Sequence, residues 1–212
     1  MRKNIFDSPL YHIMVTFSNV VIASMLWVFT SIPLLTMGAS TAALYYTVVK
    51  VIRRSTGSLY KEYFHAFRGN FKQSLIPSLI FALYGLVMAA DTYNFFRDEA
   101  YYTIPLGGWL LVLLLLIILQ AYLYPVMSRF QNTFPALLRL SVEMAVKNIK
   151  TTVLLLLLVV AGIVGTWAYL PAGIIVPGAV VYFASFLLEP VLKKYMPEVK
   201  SESKEASQWY NQ

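Results

Sequence analysis

Six apolar stretches follow one another along this chain, separated by short segments rich in Gly, Pro, Asn and basic residues. They cover roughly Leu10 to Ile32, Leu34 to Ile52, Leu75 to Ala90, Ile104 to Pro125, Thr152 to Tyr169 and Ala172 to Leu188. Most approach the ~20 residues that an α-helix needs to cross ~30 Å of hydrocarbon. From Leu110 to Leu119 every residue is apolar, so a helix there is hydrophobic on all faces, as a membrane span is and a surface helix is not. The pattern predicts an all-α, polytopic membrane protein with about six transmembrane helices in three hairpins. Residues 1–196 form a single helical transmembrane domain, and residues 197–212 a polar cytoplasmic tail.

Between the hairpins the periodicity changes. Tyr60, Tyr63, Phe64, Phe67 and Phe71 recur at helical spacing, while Lys61, Glu62, His65, Arg68 and Lys72 fill the other face, with Asn70 beside them. This predicts an amphipathic cytoplasmic elbow helix that lies at the membrane interface or docks a partner. A second elbow is expected from about Pro135 to Ile149, with Asn132 or Thr133 as N-cap and Pro135 in its first turn. Arg129, Asn148 and Lys150 flank it. The plain alternative is that both elbows only join one hairpin to the next.

The second apolar stretch is expected to be short or broken. Pro33 ends the first helix near Ser31, and a helix restarting at Gly38 and ending near Arg53 spans only ~23 Å. Its N-terminus then sits below the outer surface, where its backbone donors need partners. Two readings stand for Pro33, Thr36, Gly38, Ser40 and Thr41: a polar pocket whose hydroxyls cap the restart, or close packing through Gly38 with Ala42 and Ala39 with Ala43. A repeated Asn-apolar-Lys pattern, Asn70-Phe71-Lys72 and Asn148-Ile149-Lys150, suggests duplicated hairpins, or merely what a cytoplasmic helix start requires.

Charge sets the orientation. With a cytoplasmic N-terminus, the inner segments hold Arg2, Lys3, Lys50, Arg53, Arg54, Lys61, Arg68, Lys72, Arg129, Arg139, Lys147, Lys150, Lys193, Lys194, Lys200 and Lys204, and only Arg97 falls outside. The positive-inside rule places both termini in the cytoplasm. The formal charge of +7 is thus a topology signal, and no nucleic-acid partner is expected. The first apolar run is too long for a signal peptide and is read as a retained helix. Only 13% of residues are charged and 58% are hydrophobic, with a mean hydropathy of +0.64.

Candidate chemistry is sparse. The chain has no cysteine, and His12 and His65 stand in no ligand spacing, so neither metal nor other cofactor is expected. No phosphate-binding Gly-x-x-x-x-Gly-Lys-Ser/Thr loop is present. Ionisable residues are expected only at span ends, Glu189 among them, with Gln120 as a candidate interhelical hydrogen bond. Asp98-Glu99 and Glu189-Pro190 form no catalytic set, and the protein is read as not an enzyme.

Asp7-Ser8-Pro9-Leu10-Tyr11, Asn19, Trp27, Ser31, Pro33, Thr36 and Gly38-Ala39-Ser40-Thr41 resemble the signature of the YesL family of bacterial multi-pass membrane proteins. So do Phe64, Phe67, Asn70-Phe71-Lys72-Gln73, Tyr124-Pro125, Arg129-Phe130 and Asn148. The family has no established activity, but its genes in Gram-positive bacteria often neighbour those of carbohydrate ABC importers. The resemblance implies an accessory subunit in the cell membrane, partnered by the bilayer and by the permease subunits of such an importer in sugar uptake. An independent sugar carrier or channel and a membrane partner of a two-component sensor are the alternatives.

Overall fold

A computed structural model of the chain describes residues 9–97, 106–130 and 132–196. Its described residues are entirely helix and turn: α1 (Pro9–Ser31), α2 (Met37–Thr47), α3 (Leu59–Arg97), α4 (Leu106–Arg129), α5 (Phe134–Lys147), α6 (Ile149–Ala168) and α7 (Val176–Lys194). Six helical segments are long and apolar enough to cross a membrane, the arrangement expected of a multi-pass membrane protein. The Arg2 and Lys3 pair, the loop around Asp98-Glu99 and the tail 197–212 lie outside the described residues.

α1 stops at Ser31 because the residue before a proline is driven out of the helical region. Pro33 is extended (φ −75°, ψ 115°), and a 3₁₀ turn, Leu34–Thr36, leads into α2. The restart is therefore at Met37 rather than Gly38. α2 passes without a break into a π-helical turn, Val48–Arg53, so the whole helical run covers Leu34–Arg53. It is longer than the expected piece.

α2 is the central helix, with eight of its eleven residues buried. Gly38, Ala39, Ser40, Ala42 and Ala43 make it thin, which lets neighbours approach from every side; in lipid, close packing has to supply the association that the hydrophobic effect supplies in water. On one side Ala43, Leu44, Val48 and Ile52 meet Val20 and Ala23 of α1 and Leu59, Tyr63 and Ala66 of α3. On the other, Ala42, Tyr45 and Val49 meet Tyr122 to Met127 of α4, Leu137 and Met144 of α5, Leu155 of α6 and Leu188 of α7.

The first expected elbow is not a separate helix. Its residues form the first half of α3, a continuous helix of 39 residues, about 58 Å long and nearly twice the ~30 Å hydrocarbon thickness. Pro77 lies within it. Because Ser74, Pro77 and Ser78 are all buried at the junction, packing against α2 holds the helix together where the proline removes a hydrogen bond. Beyond the junction Ile76, Leu79, Ile80, Leu83 and Leu86 are exposed, the surface a lipid-facing half presents.

The second elbow forms as expected. α5 has Thr133 at its N-cap and Pro135 in the first turn. One stripe of it, Leu137, Ser141, Met144 and Ala145, is buried against the protein rather than turned to lipid, with the Ser141 hydroxyl donating to Leu137 O.

Candidate functional site

The α1–α2 turn is filled by its own polar groups. Thr36 Oγ1 donates toward the carbonyls of Thr30 (2.5 Å) and Pro33 (2.7 Å), Ser40 Oγ to Thr36 O (2.9 Å), and Thr41 Oγ1 to Met37 O (2.8 Å). Trp27 Nε1 donates to Thr41 Oγ1 at 3.0 Å, and the hydroxyls of Thr30 and Tyr63 lie 2.6 Å apart. Contrary to the polar-pocket expectation, Thr36, Ser40 and Thr41 satisfy carbonyls and cap no backbone donor. The cap comes from another helix: Gly38 N–H donates to Ser78 Oγ at 3.0 Å.

Gly38 is also a close approach. A Cβ added there would lie 2.5 Å from Ser78 Oγ and 3.0 Å from Ser74 O, inside contact distance. At Gly38, then, α2 packs directly on Ser74 and Ser78 of α3. Ser78 precedes Asn94 by sixteen residues, so along α3 the restart sits ~24 Å short of Asn94. The same device recurs at α7, where Gly178 N–H donates to Ser24 Oγ at 2.7 Å and Ser24 Oγ donates to Ile175 O at 3.0 Å. A Cβ at Gly178 would collide with Ser24 Oγ and lie 2.7 Å from Val20 O.

Basic residues that follow α2 and end α4 converge on one carboxylate of α7. Glu189, expected at a span end, is 6% exposed within the apolar segment Val176–Lys194. Arg129 at the end of α4 donates to its Oε1, Tyr45 of α2 donates to the same atom at 2.8 Å, and Arg54 Nη2 lies 3.6 Å from Oε2. Arg53 Nη1 donates to Ser185 O at 2.9 Å, and its guanidinium stacks 4.0 Å from the Phe186 ring centroid. Burial, and next the charge of Arg129, push the Arg54 guanidinium below its ordinary value. The π-helical turn sets Arg53 and Arg54 on α7, a use of such turns seen at functional sites. Arg129, grouped by sequence with the second elbow, belongs to this cluster instead.

Asn148 separates α5 from α6 and donates from Nδ2 to Met144 O at 2.9 Å; Lys150 is exposed. The α4–α6 contact is tied by Tyr122 and Thr152, whose hydroxyls are 2.9 Å apart. Gln120 is half-buried and makes no hydrogen bond among the described residues. Nor do three His, Asp or Glu side chains come together among them.

On the first half of α3, Tyr60, Phe64, Arg68 and Lys72 are exposed, Asn70 Nδ2 donates to Ala66 O at 2.9 Å, and the Phe67 and Phe71 rings meet at a tilt of 57° with centroids 5.8 Å apart. Tyr63 is fully buried, so part of the aromatic face is protein core. An open groove of about 950 Å³ is lined by Lys50, Tyr60, Lys61, Glu62, Phe64, His65, Arg68 and Gly69. At its rim Lys50 Nζ donates to Glu62 Oε2 at 2.7 Å and to Tyr46 OH at 3.0 Å.

Residues 20–92, from the middle of α1 to the last turns of α3, match the family described as protein of unknown function, DUF624. The matched segment contains the Gly38–Ser78 contact, the π-helical turn and the α3 groove. Comparison with curated proteins and with solved structures gave no match.

Proposed function

We propose that the chain is a non-enzymatic accessory subunit of the bacterial cell membrane, of the YesL type, that packs against the permease subunits of a carbohydrate ABC importer. The observation that carries this reading is the contrast between an interior whose polar groups mostly pair with one another and broad apolar outer faces. The hydroxyl and indole groups Trp27, Thr30, Thr36, Ser40, Thr41, Tyr63 and Ser78 are engaged with one another or with backbone, and Ser31 Oγ is the buried hydroxyl of the α1–α2 turn that makes no hydrogen bond among the described residues. Outside, Leu79, Leu83 and Leu86 of α3 and Val153, Leu157, Val160 and Val164 of α6 are all exposed, surfaces that suit lipid and the helices of another membrane protein. The importer as partner rests on the resemblance to the YesL family.

The basic end that holds Arg53, Arg54, Arg129, Lys193 and Lys194 is assigned to the cytoplasm by the positive-inside rule. Copurification tests the reading. A tagged chain extracted from native membranes in mild detergent is expected to carry the two permease subunits in near-equal amount, as identified by mass spectrometry. Purification without permeases from cells that express the importer overturns it.

A further inference from the structure

The groove on the first half of α3 has two chemically different walls. At 100° per residue, Tyr60 and Phe64 fall on one side of the helix and Lys61, His65 and Arg68 on the adjoining one. Tyr60 is 56% and Phe64 40% exposed, although both are large and apolar-bodied. Lys50 closes the rim, fixed by Glu62 and Tyr46. The three cations Lys50, Lys61 and Arg68 outweigh the single carboxylate of Glu62, so the groove is cationic.

Its place along the helix matters as much as its charge. Arg68 precedes Leu75, where the apolar half begins, by seven residues, or ~10 Å of helix, a gap that a long basic side chain and a modest tilt bridge to the headgroup layer. We infer that this groove binds the headgroup of an anionic glycerophospholipid, with its phosphodiester on Arg68 and Lys61 and the carbon skeleton of the headgroup beyond the phosphate on Tyr60 and Phe64, which lie farther than Arg68 from the apolar half of α3. A phosphodiester carrying an alcohol headgroup meets both walls; a free anion uses only one.

The test uses the purified full chain in neutral detergent and follows its unfolding temperature. Dioctanoyl phosphatidylglycerol is expected to raise that temperature saturably, whereas dioctanoyl phosphatidylcholine and inorganic phosphate leave it unchanged. The double substitution Lys61→Gln with Arg68→Gln, at two exposed positions, should weaken the phosphatidylglycerol response about thirtyfold, the effect of two basic side chains near an anionic surface. Arg139→Gln with Lys150→Gln, equal in charge but on the α5–α6 segment, should respond as the unmodified chain does. Native mass spectrometry from mixed lipid gives an independent readout: phosphatidylglycerol retained by the unmodified chain and lost by the first double variant. An equal response to phosphatidylcholine, a match by inorganic phosphate alone, or unchanged affinity in the first double variant overturns the inference.

Discussion

Substituting Gly38 by alanine adds one methyl group to the closest contact between α2 and α3. The new Cβ would lie 2.5 Å from Ser78 Oγ, 3.0 Å from Ser74 O and 3.1 Å from Ser74 Cβ. Ser78 can rotate away, but only by giving up its 3.0 Å bond from Gly38 N–H, a net loss of about 1 kcal/mol. The Ser74 carbonyl belongs to α3 and cannot rotate, so the two backbones must separate, at ~1–3 kcal/mol for overpacking. Against this, alanine gains up to ~1 kcal/mol over glycine in helix propensity. The balance is a destabilisation of about 1–3 kcal/mol, or some 2–10 °C in unfolding temperature for a chain of this size. Differential scanning fluorimetry in detergent measures it. Ser40→Ala serves as the comparison, since it removes a hydroxyl that bonds Thr36 O and faces the Tyr63 hydroxyl but adds no bulk between the helices, and should shift by less. The double variant Gly38→Ala with Ser78→Ala should recover part of the loss, because the nearest atom is gone while Ser74 O remains. Refutation is simple: Gly38→Ala at or above the native unfolding temperature means that the helices do not meet there.

Three further expectations come from the same geometry. Gly178→Ala, whose Cβ would face Ser24 Oγ and the Val20 carbonyl, should destabilise to a similar degree, and a neutral result in the same thermal assay would separate α7 from α1. Glu189→Leu leaves Arg129, with no exposed side-chain surface, as an uncompensated buried charge, and should cost about 3–5 kcal/mol; Glu189→Leu with Arg129→Met should recover much of that, and equal losses would refute the pairing. Because the chain has no cysteine, Asn94→Cys and Ser58→Cys report topology: an impermeant thiol reagent on intact cells should label the first and spare the second, and the reverse pattern inverts the orientation.

The helices were legible in the sequence wherever apolar residues occupied every face, as in Leu110 to Leu119, and where turn chemistry was local, as at Pro33 and at Thr133-Phe134-Pro135. α3 was harder to read because its charged half and its apolar half have different periodicity; continuity through Pro77 depends on burial of Ser74 and Ser78 against α2, which no local pattern displays. The caps of α2 and α7 were missed for the same reason: Ser78 and Ser24 stand 40 and 154 residues from the glycines they cap. Glu189 reads as an ordinary end-of-span carboxylate until Arg129 and Tyr45, 60 and 144 residues away, are brought to it. A π-helical turn at Val48–Arg53 likewise has no composition that announces it.

The central claim is that this chain assists transport by binding a permease rather than moving sugar itself. Reconstitution into liposomes tests it most directly, with the chain alone, the importer alone and both together, each supplied with ATP, sugar-binding protein and labelled oligosaccharide. The account predicts no saturable flux with the chain alone and faster uptake by the importer when the chain is added at equal amount. Saturable flux through the chain alone, or an importer whose uptake is the same with and without it, contradicts the account.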